Sequence, residues 1–570
     1  MTSFQRFAEL CQKVEGVSGS LEKIDLAAAF LADIDESELS IASSFIMGTL
    51  FSPSLDLVIG VGPSILYEAL ARACGCSMEQ ISDMLRATGD PGLVAAAVVE
   101  KRKPIGFAAF LGEESLSITD VYQRFLEVAR SSGKRSQGAK VKNLQFLFSQ
   151  ATSLEAQYIA RLAIEDMRIG MGVGGVRDAL AKAFARNADD VERAFNLTND
   201  MGLVAVSARA GTLSDLSVMI NHPIKMMLAQ LGESIPAAMQ EIGLVALEWK
   251  YDGARVQIHK DGEKVRIFSR RLEDVTASLP EIVQTAKRIR ADSAILDGEA
   301  VAIGKDGRPM AFQEILKRFR RKYNVEKLAL QIPLHLFLFD LIYLDGKSVV
   351  DLPLTERRKL LERIASADPS IRADPSFLSN PSILADQIQS DSPELAEKIY
   401  RQALDAGHEG LILKNPTSVY APGKRGKNWL KIKPVMETLD LVVIGAKWGE
   451  GRRASLLGSY RLGCQDKLTG KLLDIGWVAT GLTDEALADL TETFRELILV
   501  QKGMEVELKP AVIFEVAYEE IQKSQTYSSG YALRFPRLVT VRDDKSLEEA
   551  DTLERVVSIY RVQRGRNDSA

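Results

Sequence analysis

The chain has few cysteines and no long apolar run, and these absences exclude several classes of protein. Four cysteines occur in 570 residues, and the pair Cys74 and Cys76 has no second pair that would complete a tetrahedral zinc site. Buried or free thiols are therefore expected, without a disulfide framework or a zinc finger. No apolar stretch reaches the roughly 18 residues of a membrane span, and no basic, apolar leader is present. The sequence predicts a protein of the cytoplasm, without a membrane partner.

The sequence also lacks an overall excess of basic charge. Its net charge is −5 and its pI is about 5.8, which argues against a uniformly basic coat for nucleic acid. The basic charge is local: residues 1–100 carry 5 Lys and Arg against 14 Asp and Glu, while residues 101–150 carry 9 against 4. The segment 130–142 is basic and contains glycine, which suits a loop that follows a phosphate backbone as well as it suits an ordinary solvated loop.

The texture of the sequence changes twice along the chain, and a length of 570 residues favours three or four domains. Residues 1–213 repeat apolar positions at helical spacing, as in 153–167 and 175–184, and predict an all-α domain. Residues 214–429 alternate β-branched residues, with a hairpin turn at Asp261-Gly262 and helical patterns between the strands, and predict an α+β domain. Residues 430–570 contain short strands, a helical insert near 484–497 and a final helix near 547–560. That pattern predicts a small all-β barrel of the oligonucleotide-binding type, the OB-fold.

The stretch from Glu248 to Arg255 places a lysine, Lys250, beside Asp252 and Gly253 at the predicted edge of a strand. A free lysine is protonated at neutral pH, and a site that desolvates it among other cations can expose the lone pair of its amine for covalent catalysis. The tetrapeptide Lys-x-Asp-Gly is by itself weak evidence, because Asp-Gly is a common turn and a lysine before it is usually solvated.

Further polar clusters follow Lys250, each at the end of a predicted strand. They are Ser269-Arg270-Arg271, Asp297-Gly298-Glu299, Phe339-Asp340, Glu409-Gly410-Leu411-Ile412-Leu413-Lys414 and Trp429-Leu430-Lys431-Ile432-Lys433. In order and content these clusters resemble the covalent nucleotidyltransferase superfamily, which contains ATP-dependent DNA ligases, RNA ligases and mRNA-capping enzymes.

The chemistry of nucleotidyl transfer needs residues of these types. Transfer to an amine requires cations on the phosphates, a carboxylate for Mg²⁺ and a flat surface for the base. Lys431 and Lys433 alternate on a strand, so two ammonium groups are expected on one wall. Glu299 and Glu409 are the candidate ligands of Mg²⁺ or of the ribose. Phe339 offers a ring face to a purine, although a phenylalanine in a strand is equally typical of a core.

The resemblance implies a role for each matching residue. Lys250 would become adenylated by ATP, with Glu248 near the adenine and with Arg255, Arg270, Glu299 and Phe339 around the nucleotide. Arg425, Lys431 and Lys433 would contact the phosphates, and residues 421–427 would form a mobile hinge. In the C-terminal domain, Arg534 and Arg537 belong to a motif whose arginines fold over the nucleotide and orient the departing pyrophosphate.

The N-terminal region extends the resemblance over nearly the whole chain. Gly170, Gly172, Gly174 and Gly175 favour a turn between helices whose amides can approach DNA phosphates at a helix N-terminus. The arrangement resembles the archaeal and eukaryotic replicative DNA ligases. It implies a monomeric enzyme of DNA replication, repair and recombination, associated with the nucleoid, that surrounds nicked duplex DNA. Its domains would be an all-α DNA-binding domain (1–213), an α+β nucleotidyltransferase domain with an ATP-grasp-like adenylation fold (214–429) and an OB-fold domain (430–570).

Two alternatives stay open on the sequence. An RNA ligase or a capping enzyme would share Lys250 through Lys433, but neither is expected to carry the long helical domain. A non-catalytic DNA-binding scaffold would need a broken nucleophile or metal site, and the parts are all present. An NAD⁺-dependent ligase is disfavoured because a cysteine-rich zinc module is absent. A sliding clamp is a candidate partner, but segment 101–110 lacks the expected glutamine and adjacent aromatic pair.

Overall fold

The computed structural model describes most of the chain. It covers residues 1–52, 55, 57–102, 116–131, 133, 136–304, 307–310, 312–319, 325–365, 383–434, 437–449, 453 and 455–563. Lys134 and Arg135 of the basic segment and most of the candidate clamp segment lie outside these ranges. Within them, no helix combines the length and the apolar character needed to cross a membrane.

The N-terminal region is helical, as the sequence predicts. Its helices are α1 (Phe4–Gly16), α2 (Ser20–Asp33), α3 (Glu36–Met47), α4 (Pro63–Cys74), α5 (Met78–Thr88), α6 (Pro91–Glu100), α7 (Ile118–Arg130), α8 (Ser136–Gln150), α9 (Ser153–Ala163), α10 (Val173–Ala183), α11 (Ala188–Thr198) and α12 (Met201–Ala210). Local sequence fixes many of their ends: Thr152 and Glu155 form a capping box before α9, and Gly48 ends α3 in the left-handed region at φ 82°. A core rich in phenylalanine, with Phe7, Phe45 and Phe125 in contact, holds the helices together.

The glycine-rich turn lies between α9 and α10. Helix α9 ends at Ala163, earlier than predicted, because Glu165 and Arg168 adopt positive φ angles of 55° and 56°. Gly172 caps α10 without a side-chain hydrogen bond. The first amides of α10 are thus free of a capping side chain, as the sequence predicts for a phosphate-binding turn.

The central region alternates strands and helices. In chain order these are β1 (Leu228–Leu231), α13 (Ile235–Ile242), β2 (Val245–Lys250), β3 (Ala254–Asp261), β4 (Lys264–Ser269), α14 (Pro280–Lys287), β5 (Ser293–Ala302), α15 (Phe312–Phe319), α16 (Val325–Gln331), β6 (Leu334–Leu344), β7 (Lys347–Ser348), α17 (Leu354–Ala365), β8 (Gln387–Ser390), α18 (Pro393–Asp405), β9 (Gly410–Lys414) and β10 (Arg425–Ile432). The predicted hairpin joins β3 to β4, with Asp261 opposite Lys264 and Gly262 at φ 55°.

Two sheets form in this region, in the orders β1-β10-β9-β2-β8 and β4-β3-β5-β6-β7. The outer face of the first sheet carries Leu247, Leu411 and Leu413, which pack on α13 and α18. The second sheet packs its own outer face against α14 and α17. Apolar side chains that include Ile342 and Trp429 join the inner sides of the two sheets. The polar residues at the inner faces are therefore brought together between the sheets.

The helical and central regions are joined at α11. Leu197 of α11 belongs to the same buried cluster as Trp429, and Arg193 bonds to Asp351 at 2.8 Å. A side chain at Gly423 would meet Asn196 of α11 at 2.9 Å, so the chain passes very close to the helix there. The predicted hinge at 421–427 therefore does not resemble a free linker: its first part packs against α11 and its second part is strand β10.

The C-terminal region is rich in β-structure, as predicted. It contains β11 (Leu439–Trp448), β12 (Leu457–Gln465), β13 (Leu472–Val478), α19 (Asp484–Arg495), β14 (Ile498–Lys502), β15 (Glu505–Leu508), β16 (Ile513–Ala517), β17 (Glu520–Lys523), β18 (Tyr531–Arg534), β19 (Arg537–Val541) and α20 (Leu553–Val562). Strand β11 is central, since it pairs with β12 on one side and with both β15 and β16 on the other. The sequence predicts strands at 439–445, 459–462, 472–478, 506–508, 512–518 and 538–542, and it missed β14, β17 and β18. The expected domain boundary after residue 429 falls inside β10.

Candidate active site

A cavity of about 610 Å³ lies between the two central sheets and is closed by the C-terminal region. Nearly all of the residues that the sequence singled out line it. These are Glu248, Lys250, Arg255, Arg270, Glu299, Phe339, Glu409, Arg425, Lys431, Lys433 and Arg534. Arg537 is the exception, because it is exposed at the start of β19 and is absent from the cavity wall. Residues spread over almost 300 positions of sequence thus meet in one place.

The register of the first sheet explains why its polar residues share a face. Glu248 lies opposite Ile412, and Ile412 lies opposite Lys431 on the next strand. Alternate residues of a strand point to the same side, so Lys250 faces the cavity with Glu248. Leu247 on β2 and Leu411 and Leu413 on β9 alternate with these positions and face the helices on the other side.

Lys250 is paired with a carboxylate. Its Nζ lies 2.7 Å from Oε2 of Glu409, and Nζ of Lys433 lies 2.7 Å from the same oxygen. Burial alone would raise the pKa of Glu409, but Lys250 and Lys433 outweigh that effect and hold the pKa well below its usual range. Glu409 is therefore an ionised anchor that keeps two ammonium groups side by side.

Positive charge is concentrated around this anchor. Burial and the neighbouring ammonium groups of Lys433 and Lys250 lower the pKa of Lys431. Arg425, the first residue of β10, stands exposed at the same wall. Cations this close together repel one another, and a bound anion relieves that repulsion. The wall is therefore suited to binding a polyphosphate.

The other end of the cavity is aromatic. The register of β5 and β6 shifts between Asp297 and Gly298 and leaves Phe339 as the extra residue of a β-bulge, facing the cavity. Asp340 points the opposite way and bonds to the buried Arg357 at 2.7 Å. Phe339 meets Trp429 edge to face, with ring centroids 6.2 Å apart. This end offers a ring face to a flat ligand.

Glu248 lies beside the rings and is held at both oxygens. Nζ of Lys414 lies 2.6 Å from its Oε2, and Nε2 of Gln387 donates to its Oε1 at 2.6 Å.

Arg255 is fixed by the second sheet. Asp297 accepts from its Nε at 2.9 Å and from its Nη2 at 2.5 Å, a two-point pair that fixes the plane of the guanidinium. The hydroxyl of Tyr420 donates to the same carboxylate at 2.7 Å, and the carbonyl of Met227 accepts from Nη1 of Arg255 at 2.6 Å. Arg255 is thus preorganised at the cavity wall before any ligand arrives.

Glu299 is the carboxylate best placed for a metal ion. Burial raises its pKa to about 8, although Lys250 and Arg255 act in the opposite direction. Within the described ranges, no hydrogen bond to its carboxylate is found, whereas Glu409 already binds two lysines. A divalent cation would compensate the buried charge of Glu299, and Mg²⁺ commonly binds one or two carboxylates together with substrate phosphates. The part of the chain that the structure describes contains no cluster of three or more His, Cys, Asp or Glu suited to a metal.

The C-terminal region completes the cavity with Arg534. Its Nη1 lies 3.7 Å from Oδ1 of Asp252, two residues after Lys250, and 3.3 Å from Oε2 of Glu520 on β17. Phe535 follows at φ 50°, exposed and facing the cavity. From the same region, Glu519 bonds to Lys433 at 3.0 Å. Two ion pairs therefore hold the C-terminal region against the site.

Several contacts of the site were not predicted from the sequence. Asp297 lay in a recognised cluster without a role, and Tyr420, Gln387 and Glu519 carried no signal. The partners of these residues lie 42 to 139 positions away along the chain, so only the sheet pairing reveals them.

Three family models match the chain in succession. The model described as "DNA ligase N terminus" matches residues 3–181, "ATP dependent DNA ligase domain" matches residues 226–433 and "ATP dependent DNA ligase C terminal region" matches residues 453–545. Together they cover most of the chain, in the order helical, α+β and β-rich that the structure shows.

Curated relatives match from end to end. A "DNA ligase" of Methanothrix thermoacetophila is 62% identical over 568 residues and covers 100% of both chains. A "DNA ligase" of Archaeoglobus fulgidus is 48% identical over 564 residues, with 98% of this chain and 99% of the relative covered. A solved structure called "Pmar-Lig_PreS3" has a TM-score of 0.58 at 18% identity, covers 94% of this chain and 99% of its own, and supports the fold alone. The chain belongs to the family of ATP-dependent DNA ligases.

Proposed function

We propose that this enzyme seals nicks in duplex DNA with ATP and that Lys250 is its covalent nucleophile. One observation carries the assignment of the nucleophile: Lys250 lies in a cavity whose walls combine a cluster of cations with an aromatic end. A triphosphate fits the cations, and a purine fits the aromatic end. The lysine amine then stands where the α-phosphate lies between them.

In the first step the neutral amine of Lys250 attacks the α-phosphorus of ATP. A nitrogen–phosphorus bond forms, the bond to the β-phosphate oxygen breaks, and pyrophosphate leaves with the electron pair. Lys250 gives up one proton before this attack, and the carboxylate of Glu409, 2.7 Å from its Nζ, is placed to accept it. Lys431 and Lys433 at the cavity wall would neutralise the phosphate oxygens, and Arg534 is placed to stabilise the charge that develops on the leaving group.

In the second step the 5′-phosphate of the nick attacks the phosphorus of lysine-AMP. The nitrogen–phosphorus bond breaks, Lys250 recovers its amine, and AMP is carried on the 5′ end. In the third step the 3′-hydroxyl attacks the 5′-phosphorus and releases its proton to solvent. A phosphodiester bond forms, the phosphoanhydride bond to AMP breaks, and AMP leaves with the electron pair.

Glu299, a half-buried carboxylate of raised pKa at the cavity wall, is the residue that would hold Mg²⁺. When bound there, it supplies positive charge that neutralises the phosphate oxygens during transfer. Arg255 does not depend on the metal, because Asp297 and Tyr420 already hold it in place. Arg255 and Arg270 are the candidate contacts to the ribose or the phosphates.

The helical region is the candidate DNA-binding part of a monomeric enzyme. The uncapped amides at the start of α10 and the basic segment 130–142 support this proposal, since both suit contacts to a phosphate backbone. Such contacts depend on salt concentration rather than on base sequence.

Sealing of a labelled, nicked duplex tests the function directly. We expect joined product with ATP and Mg²⁺ and no product with NAD⁺. Nicked duplexes with RNA on either side of the break, and a 5′-triphosphate RNA incubated with GTP, serve as competing substrates. Preferred joining of RNA ends, or transfer of GMP to the RNA, would contradict the proposal.

A further inference from the structure

Lys414 is a buried lysine that the three chemical steps leave without a role. It ends β9 and pairs in register with Ala246 on one side and with Trp429 on the other. Ala246, Glu248 and Lys250 share one face of β2, so Lys414 lies on the face that lines the cavity. Only 1% of Lys414 and 3% of Glu248 is exposed, so both charges have left bulk water.

The surroundings of Lys414 compensate its charge. Its Nζ lies 2.6 Å from Oε2 of Glu248, 4.6 Å from the ring centroid of Phe339 and 4.4 Å from that of Trp429. A cation near two ring faces is stabilised by their electron density. A buried ion pair nevertheless contributes little net stability compared with apolar side chains of similar size, so stability alone does not account for the pair.

The second oxygen of Glu248 is held as well. Gln387 lies opposite Glu248 on the edge strand β8, and its amide donates to Oε1 at 2.6 Å. An ionised carboxylate has about four acceptor sites, and these two partners occupy one on each oxygen. Gln387 donates to one oxygen and the ammonium group of Lys414 pairs with the other, so the carboxylate of Glu248 is held at both oxygens and offers its remaining acceptor positions to the cavity.

We infer that Lys414 and Gln387 are positioning residues that set the choice of nucleobase by fixing Glu248 as a hydrogen-bond acceptor. This inference rests on the proposed function, in which the cavity binds a nucleoside triphosphate with its base at the aromatic end. An acceptor there bonds to the 6-amino group of adenine. It repels the 6-oxo group of guanine or hypoxanthine, which is itself an acceptor.

Removing the ammonium group has a specific consequence. Without Lys414, Oε2 of Glu248 loses its partner, so the carboxylate is no longer held in one orientation. The bond to the 6-amino group is then weakened, whereas contacts to the rest of the nucleotide are kept. Lys414→Met therefore changes the preference among bases and does more than weaken binding.

The test measures single-turnover transfer of the nucleotide to Lys250 against the concentration of three triphosphates: ATP, purine riboside triphosphate, which lacks the 6-amino group, and inosine triphosphate, which has a 6-oxo group. We expect Lys414→Met to raise the half-saturation concentration of ATP by about 10- to 100-fold. This is the range for loss of a charge-assisted hydrogen bond, here the one between Glu248 and the 6-amino group. The half-saturation concentration of purine riboside triphosphate should change by less than about threefold. That of inosine triphosphate should fall relative to that of ATP. Rates at saturation should be retained.

Three further variants make the test specific. Lys414→Arg should recover most of the preference for ATP. Gln387 lies at a half-buried edge position. Gln387→Leu should reduce the preference for ATP over purine riboside triphosphate, measured as the ratio of their half-saturation concentrations, by about 3- to 10-fold, the effect of one neutral hydrogen bond. Lys359→Met removes an exposed lysine of α17 and should change nothing.

The inference is overturned if Lys414→Met weakens the binding of all three nucleotides equally. It is also overturned if neither Lys414→Met nor Gln387→Leu changes the ratios of their half-saturation concentrations. Should Lys414→Met fail to fold, the Gln387→Leu ratios alone decide. Failure of the proposed function looks different, because the wild-type protein would then form no covalent nucleotide with any triphosphate.

Discussion

Lys250 and Lys433 form ion pairs with the same oxygen of one carboxylate, and each Nζ lies 2.7 Å from it. That oxygen, Oε2 of Glu409, is buried, so two ammonium groups that would otherwise repel each other are held beside the cavity. The nucleophile and a phosphate-binding cation are thus placed by a single side chain, whose position after α18 is fixed by the pairing of β9 with β2.

Replacing this anchor should impair the chemistry. Glu409→Gln keeps the shape but removes the charge, so the two lysines lose their shared partner and separate. We expect lysine adenylation at saturating ATP to slow by about 100-fold or more, as when a preorganised charge is removed from a site. Rapid-quench measurement of covalent AMP checks this, and Glu397→Gln on the exposed face of α18 is the matched control. An unchanged rate would mean that Glu409 only stabilises the fold.

The two arginines of the C-terminal motif should differ in their effect on the rate of lysine adenylation. Arg534 faces the cavity beside Asp252, whereas Arg537 is exposed away from it. Arg534→Ala should slow adenylation by about 100-fold, while Arg537→Ala should slow it by less than about threefold. Sealing of a nick with a pre-adenylated 5′ end should be little affected by Arg534→Ala, because that step does not release pyrophosphate. Equal losses in both assays would assign Arg534 to DNA binding or to the fold.

The protein should lose stability with rising pH through Glu299. Its folded pKa of about 8 lies above the value near 4.3 of an unfolded chain, so the folded state keeps a proton that the unfolded state releases between these values. The stability contributed by that proton is complete below about pH 4 and is lost above about pH 8. Glu299→Gln should therefore exceed the wild type in Tm by several degrees more at pH 8.5 than at pH 5. Scanning calorimetry in EDTA measures the gap, and a gap independent of pH would contradict the assignment.

The hydrogen bonds and the ion pair that hold Arg255 should contribute measurably to the free energy of unfolding. Tyr420→Phe removes the hydrogen bond to Asp297 and also the acceptor of the buried amide of Met227, so it should cost about 2 kcal/mol of unfolding free energy. Asp297→Asn leaves the buried guanidinium without its counter-charge and should cost about 3 kcal/mol or more. Urea unfolding of both variants gives the two values. A reversed order would place the stabilising charge elsewhere.

The basic segment 130–142 should affect the affinity for DNA and leave the rate of adenylation unchanged. Replacing Lys134 and Lys142 together by Gln should weaken binding to nicked duplex and make the plot of log affinity against log salt shallower by about 2, since each lost phosphate contact reduces the slope by about 0.9. Adenylation should be unchanged. The double replacement of Lys359 and Lys398, two exposed lysines of the central region, is the charge-matched control. Equal slopes for the two double variants would remove the segment from the DNA interface.

The parts of the fold with local signals could be predicted from the sequence. The hairpin of β3 and β4 follows from its turn and its alternation, and the cavity-facing residues of β2 follow from strand periodicity. Strand β14 was missed because four of its five residues are exposed, which removes the alternation that marks a half-buried strand. Lys414 and Gln387 were missed as positioning residues because their partner, Glu248, lies on another strand. A single sequence does not reveal the register that joins them.

Mapping the covalent adduct tests the central claim most directly. The wild-type protein is incubated with ATP labelled at the α-phosphate and with Mg²⁺, denatured, digested and sequenced by mass spectrometry. We expect AMP on the side chain of Lys250 and nowhere else, and no adduct in Lys250→Arg, because arginine stays protonated and cannot attack phosphorus. An adduct on another residue, or one that persists in Lys250→Arg, would contradict the account.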